Sequence, residues 1–355
     1  MSRNLNLEIE EVMRLYCASG IEQQVDYQKF YLYSIVTHST AIEGSTVTEI
    51  ENQLLFDEGI PSNKRSINEQ MMNVDLKDAY LQAFKLCTGN KVRFSVALLQ
   101  ELAAIVMRRT GSEYSTIAGR FDSSKGEFRL CNVSAGVGGR SYLAYNKVAA
   151  AVINFCDWLN QELSNIDGND VAACYRLSFE AHFKLVTIHP WVDGNGRMSR
   201  LVMNMIQRQL GLVPSIVRKE DKGEYIQSLI DSRSNEDSTI AQDTMLSQHI
   251  ENLRRRIIEY HDDTVNDTVN DTVNSTFEII DDTINSPFGG LSGLSPVLVR
   301  IYDAIISNPE ITHKLLAELL HISESTAKRA TRELKRLGYI MREGSDKSGL
   351  WKILK

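Results

Sequence analysis

Cysteine is sparse and unpatterned in this chain. Its five copies, Cys17, Cys87, Cys131, Cys156 and Cys174, are odd in number, scattered and free of C-x-x-C spacing. That argues against a disulfide framework or a zinc ribbon, fits free thiols in a reducing compartment, and leaves cysteine catalysis unsupported. Long apolar runs are also missing: no stretch of about 18 apolar residues occurs, so no bilayer-spanning helix is expected. The opening MSRNLNLEIEEVMRLY lacks the apolar stretch of a secretory signal, and a cytoplasmic location is the expectation. Basic charge is in deficit, with 39 Lys and Arg against 46 Asp and Glu, so the chain as a whole has no polyanion-binding balance. Its 355 residues leave room for two or three domains with ample core.

The C-terminal part changes character. Residues 263–274 are three copies of Asp-Thr-Val-Asn, echoed by Asp282-Thr283-Ile284-Asn285, and SPFGGLSGLS follows at 286–295. A four-residue period is too short for a solenoid, and the glycine and glutamate of a calcium-binding EF-hand loop are missing. A linker expanded by duplication, or a short β-prone tether, is expected over residues 257–295. Beyond it, residues 296–355 predict helices over Val297–Ile306, Ile311–Leu320 and Glu324–Leu337. Ser323 is placed as the N-cap of the third and Gly338 as its stop. Two strands, Tyr339–Arg342 and Leu350–Leu354, complete a pattern that resembles a winged helix-turn-helix. This stretch holds 11 Lys and Arg against 7 Asp and Glu, net +4, which leaves the rest at −11. DNA contact is therefore expected only here, through Lys328, Arg329 and Arg332 on the third helix; protein contact or dimerisation is the competing use.

The chemistry concentrates in His189–Arg200, HPWVDGNGRMSR. Apolar residues at Tyr175, Phe179, Phe183 and Val186 predict a helix before it, and Met198–Leu210 suits a helix after it. The glycines then form a tight loop opening onto a helix N-terminus, where N–H groups and the dipole favour a phosphate. Gly194 and Gly196 let backbone approach the anion. Asp193 is a hard oxygen donor for Mg²⁺. Arg197 and Arg200, three apart, suit phosphate oxygens, and His189 can accept a hydroxyl proton near neutral pH.

These residues resemble the signature of Fic-domain proteins, H-x-F-x-(D/E)-G-N-G-R-x-x-R, with Trp191 in place of the usual Phe. The resemblance covers about residues 5–256. It implies a mainly α fold: a Fic-type helical core with a small β-hairpin flap, here followed by the winged helix (three helices and a β-wing). It also implies transfer of AMP from ATP to a protein Ser, Thr or Tyr hydroxyl. His189 would be the base and Asp193 the Mg²⁺ ligand. Asn195 with the glycine amides would hold the α- and β-phosphates, Arg197 would also bind phosphate, and Arg200 would reach the γ-phosphate. Gly196 stands where protein-phosphorylating Doc-type members carry lysine, which favours adenylyl transfer.

A second motif, Ser39-Thr40-Ala41-Ile42-Glu43-Gly44, resembles the family's inhibitory segment (S/T)-x-x-x-E-(G/N), whose glutamate pairs with the second signature arginine, here Arg200. In some such proteins the same glutamate positions a water that removes AMP, so Glu43 is a brake, a hydrolytic base, or both. Thr48 and Glu51 have the form of a capping box. Residues 117–130 read as a hairpin around Asp122–Gly126, the counterpart of the target-binding flap, with Phe128, Arg129 and Leu130 facing the target. Tyr225 is carried over as an adenine neighbour. The expected layout is an N-terminal helical region over 1–90, a Fic core over 91–256, the linker over 257–295 and the winged helix over 296–355. Partners would be ATP and a target protein or the chain itself, and a homodimer is compatible. The alternatives are an AMP-removing enzyme and a DNA-binding regulator with an ATP-sensing core.

Overall fold

The computed structural model describes residues 3–24, 26–88, 91–134, 141–277, 296–309, 311–320, 324–343 and 350–354. It divides into two compact units, Met1–Asp271 and Thr272–Lys355. The first contains helices α1 (Leu5–Ser19), α2 (Tyr27–Ile42), α3 (Glu49–Glu58), α4 (Ile67–Cys87) and α5 (Val96–Val106), then a hairpin of β1 (Glu113–Thr116) and β2 (Gly119–Asp122). Helices α6 (Tyr145–Asn165), α7 (Val171–Ile188), α8 (Asn195–Gln209) and α9 (Lys222–Asn235) follow, and α10 (Thr239–Phe277) starts in this unit and ends past its last residue.

Helix α8 is the axis of this unit: every residue from Arg197 to Gln207 is buried. A helix covered on all sides must satisfy its polar side chains internally. Asn204 donates to the Tyr80 hydroxyl at 3.0 Å, and Gln207 spans Ser178 and Ser215. Packed against α8, α7 starts where Asp170 accepts from the Ala173 N–H, and buries Tyr175 and Phe179 one turn apart. A single apolar cluster runs from Ile9 through Leu253, so the first ninety residues and the signature helices share one core.

The C-terminal end of α2 is pinned by amides. Asn52 donates to Thr37 and to Asn73, Thr40 donates to Asn73, and Asn73 donates to Ser45. Asn52, Asn73 and Thr40 are fully buried, so this network ties α2, α3 and α4 together just before Glu43. The capping box predicted at Thr48 and Glu51 opens α3.

Two expectations need correction. The hairpin is not centred on Asp122–Gly126: β1 pairs antiparallel with β2 through a turn at Ile117 and Ala118, and Ser123–Lys125 is a single 3₁₀ turn. Asp122 sets that turn by accepting from the N–H and hydroxyl of Ser124. The repeats are not a β-prone tether either, since α10 continues through them to Phe277. A four-residue period lies close to the helical 3.6, so identical residues recur along one slowly drifting stripe.

The second unit has α11 (Pro296–Ser307), α12 (His313–Leu320), α13 (Glu324–Arg336) and the antiparallel pair β3 (Ile340–Glu343) and β4 (Leu350–Ile353), paired Arg342 to Trp351. Ile301, Ile305, Leu316, Leu334 and Trp351 form its core, and the Trp351 indole N–H donates to the Ile311 carbonyl at 2.9 Å. This is the expected three helices and wing, with Gly338 at φ +73 ending α13. The expected cap Ser323 and the wing loop lie outside the described residues.

Candidate active site

A cavity of about 360 Å³ is lined by Glu43 from the end of α2, Val186, Thr187 and His189 from the end of α7, and Gly196 and Arg200 from α8. Tyr142 and four residues of α9 beyond Tyr225 (Ile226, Leu229, Ile230 and Arg233) close the other side.

His189 ends α7 in the left-handed conformation, φ 54, which non-glycine residues adopt at a cost of about 1–2 kcal/mol. Three contacts hold it there. Its N–H donates to the Leu185 carbonyl, its own carbonyl accepts from Arg129 Nε at 2.8 Å, and Nδ1 donates to the Val186 carbonyl at 3.2 Å. A carbonyl only accepts, so Nδ1 carries the proton and the Nε2 lone pair is left for an incoming hydroxyl. Burial pushes the imidazole down to about 4, helped by Arg129 and Arg233 and opposed by the Val186 bond and Glu43, so it is neutral at pH 7.

The loop to α8 is self-bracing. The Asn195 amide accepts from the Trp191 N–H at 3.0 Å and donates to the Trp191 carbonyl at 2.9 Å, closing the turn on both sides. The Asn195 side chain is thus engaged within the loop, while the backbone N–H groups of the first turn of α8 are the donors a helix start offers. Trp191 is buried, its indole N–H on the Gly126 carbonyl at 3.0 Å. Gly126 in turn packs directly on α5, where a Cβ would lie 1.9 Å from the Gln100 carbonyl oxygen.

The two signature arginines part company. Arg197 does not line the cavity: it turns to Met107 Sδ at 3.2 Å and to the Asp193 carboxylate at 3.3 Å. Arg200 does, with every guanidinium nitrogen engaged. Nε donates to Ser39 Oγ at 2.8 Å, Nη2 to the Ser39 carbonyl at 2.9 Å and to Glu43 Oε1 at 2.5 Å, and Nη1 to the Tyr225 hydroxyl at 3.3 Å. Burial would raise the Glu43 pKa, but the charge and hydrogen bond of Arg200 outweigh it, and Arg197 and Lys222 add to the effect, so the carboxylate is held below its usual range. Glu43 also crowds the helix entry: a Cβ on Gly196 would fall 2.3 Å from its Oε1. The carboxylate thus sits where an anion at the α8 N-terminus would sit.

Tyr225 is buried, and its phenol joins Arg200 to His182 Nε2 at 2.9 Å. Arg129 is buried, and its guanidinium is spent on the carbonyls of His189, Cys131 and Leu143, so it braces the site instead of facing a target. Phe128 packs on Trp191 at 5.9 Å, while Leu130 lies beneath the hairpin glycine Gly119. Sequence reasoning missed His182, Tyr142 and Arg233. Ile226, Leu229, Ile230 and Arg233 follow helical spacing, which is the signal that could have found the last.

His182 and His249 are buried like His189 and pushed down to about 3, burial being the main cause. An unfolded histidine takes a proton near pH 6.5 and these do not, so the unfolded chain binds more protons as pH falls. Stability should therefore drop below about pH 6.5, by on the order of 1 kcal/mol per pH unit for each histidine, until the folded pKa is reached. Thermal melts from about pH 7.5 to about pH 4.5 should show Tm level down to about pH 6.5 and declining below it; a flat profile would mean the three rings titrate normally.

Comparison with known proteins defines first a class: a mainly helical core followed by a module of winged helix-turn-helix type. Residues 93–207 match the model of the Fic/DOC family, and residues 294–341 match that of winged helix-turn-helix DNA-binding domains. The chain thus contains a region that matches the Fic/DOC family and a C-terminal region that matches winged helix-turn-helix domains. It is 32% identical over 193 residues to the protein adenylyltransferase Fic of Drosophila willistoni, an alignment covering 54% of this chain and 34% of that protein. The chain thus spans about a third of the length of the curated relatives it matches. Its fold is similar to that of a Fic family protein from Desulfovibrio desulfuricans G20, with TM-score 0.61 and 16% identity over 99% of this chain and 97% of that one. A Fic domain containing signaling protein from Bacteroides thetaiotaomicron gives TM-score 0.58 at 18% identity, over 72% and 97%. No described helix is long and apolar enough to cross a membrane.

Proposed function

We propose that this protein is a protein adenylyltransferase, moving AMP from ATP to a Ser, Thr or Tyr hydroxyl of a target protein or of its own chain, and that Glu43 restrains it through Arg200. The supporting observation is that one cavity joins a neutral imidazole, a glycine-opened helix N-terminus and a buried arginine, with a carboxylate lodged among them. The similarity to proteins named protein adenylyltransferase Fic points the same way.

The acceptor hydroxyl gives its proton to His189 Nε2 while its oxygen attacks the α-phosphorus. The bond from that phosphorus to the bridging oxygen breaks, and pyrophosphate leaves with the electron pair. Backbone N–H groups at the start of α8 stabilise the developing charge, and Arg200, once released by Glu43, holds the γ-phosphate. Catalysis is positioning and electrostatics, without a covalent enzyme intermediate. Asp193, its side chain 64% exposed beside the helix entry, would supply one carboxylate to a Mg²⁺ ion, with phosphate and water oxygens making up the rest of its shell. Bound there, Mg²⁺ would neutralise phosphate charge.

The test is to incubate the protein with ATP labelled in either the α- or the γ-phosphate. Protein-bound label from the α position alone is expected; label from the γ position would mean phosphoryl transfer and overturn the reading.

The winged helix supports a second role, DNA binding, because its family model is a DNA-binding one and Lys328 and Arg332 are exposed on α13. Mobility shifts on genomic fragments should show binding that weakens steeply with salt and is lost when Lys328 and Arg332 become alanine. Unchanged mobility at low salt would remove DNA from the account.

A further inference from the structure

Unlike a catalytic histidine oriented by a carboxylate, His189 has only the Val186 carbonyl on Nδ1. One hydrogen bond fixes a direction but leaves the ring free to rotate about it. A second constraint comes from Tyr142. The Tyr142 ring lies on the imidazole with centroids 3.8 Å apart and planes 15° from parallel. The Arg233 guanidinium sits 4.7 Å from the same phenol ring. With one face of Tyr142 covered by imidazole at that spacing, the guanidinium takes the other. The order is Arg233, Tyr142, His189, built from α9, the segment before α6 and the end of α7.

The backbone carries the same design. Buried Arg129 donates to the carbonyls of His189 and Leu143, so one guanidinium ties together the segments that bear the two stacked rings. The Tyr142 N–H is held in turn by the Val133 carbonyl at 3.0 Å.

We propose that Tyr142, gripped between His189 and Arg233, is a positioning residue that sets the plane of the His189 imidazole and with it the direction of the Nε2 lone pair. A proton is accepted in the ring plane, so a tilted ring misses a hydroxyl aligned for attack on phosphorus. The charged groups bearing on the imidazole are Arg129, Arg233 and Glu43, and the first two favour its neutral form. The activity half of the test rests on the adenylyl-transfer reading; the spectroscopic half does not.

The test uses the full chain carrying Glu43→Gly, with Tyr142→Leu, Tyr142→Phe or Arg233→Met added. Tyr142→Leu should lower kcat by roughly 10- to 100-fold while KM for ATP stays within about twofold, the scale expected of a misaligned reacting group. Tyr142→Phe, which keeps the ring, should restore kcat to within about threefold, and Arg233→Met should fall between. NMR of the His189 ring should show one Nδ1–H tautomer and an upfield ring-current shift in the parent and in Tyr142→Phe. Tyr142→Leu should lose that shift and broaden the ring signals as the imidazole rotates about its bond to Val186. Unchanged ring signals in Tyr142→Leu overturn the proposal, as does a kcat within twofold of the parent. A parent that transfers nothing sinks the adenylyl-transfer reading, and the ring signals alone then decide the clamp. Should Tyr142→Leu not fold, Arg233→Met at the cavity rim carries the same two readouts.

Discussion

Replacing Glu43 with glycine is expected to raise protein labelling from α-labelled ATP by about 10- to 40-fold. The ion pair it removes, Glu43 Oε1 to Arg200 Nη2 at 2.5 Å, engages the arginine proposed to grip the γ-phosphate. Charge-assisted hydrogen bonds of this kind contribute about 1.5–3 kcal/mol, and each ~1.4 kcal/mol is tenfold. The lower half of that range is the better guide, because a third of the Glu43 side chain (33%) remains open to solvent. The variant also vacates the space above Gly196, where the carboxylate lies 2.3 Å from the position of an added Cβ. Arg200→Ala should not mimic it, since the freed cradle then lacks its clamp. Labelling that rises in Arg200→Ala, or stays level in Glu43→Gly, would mean that the restraint is built elsewhere. No label in any variant, with ATP binding measured separately, would turn attention to AMP removal or another donor.

Adding His189→Ala to the Glu43→Gly chain should cut transfer by about 10²- to 10⁴-fold, the usual range for loss of a general base, while ATP affinity changes little. The asymmetry follows from where the ring sits. It borders the cavity at the end of α7, whereas the phosphate donors belong to the first turn of α8 and to Arg200. Because the imidazole is pushed down to about 4, its base form prevails at neutral pH. Retained transfer in the double variant would show that another group, or water, takes the proton; an equal loss of ATP binding would recast His189 as a binding residue.

Much of this was legible in the chain. His189, Asp193, Gly194 and Gly196 announce an anion cradle because their chemistry is local: it needs only a loop feeding a helix. The pairing of Glu43 with Arg200 spans 157 positions and was readable only through the family's inhibitory motif. Roles that depend on what a side chain meets across the core were not readable. Asn195 and Arg197 lie in the signature, yet one closes its own loop and the other turns to Met107 and Asp193. Arg129 looked like a flap residue until its three carbonyl partners were seen. The hairpin was misjudged because its turn holds an exposed Ile117, while the polar cluster after it folds on itself through Asp122. The Asp-Thr-Val-Asn repeats misled through their β-branched residues, where the period of four was the better guide.

The amide lattice of Asn52, Thr37, Thr40 and Asn73 bears on how such a restraint can be lifted. A carboxylate at the end of a pinned helix is a tethered competitor, and its effective concentration is set by the fold and not by dilution. Lowering the protein concentration cannot relieve it, and raising ATP does so only against a fixed local opponent. Relief belongs to whatever loosens α2 from α3 and α4. On the adenylyl-transfer reading, a substitution that breaks this lattice, about one helical turn before Glu43, is expected to relieve the restraint without touching the cavity wall itself.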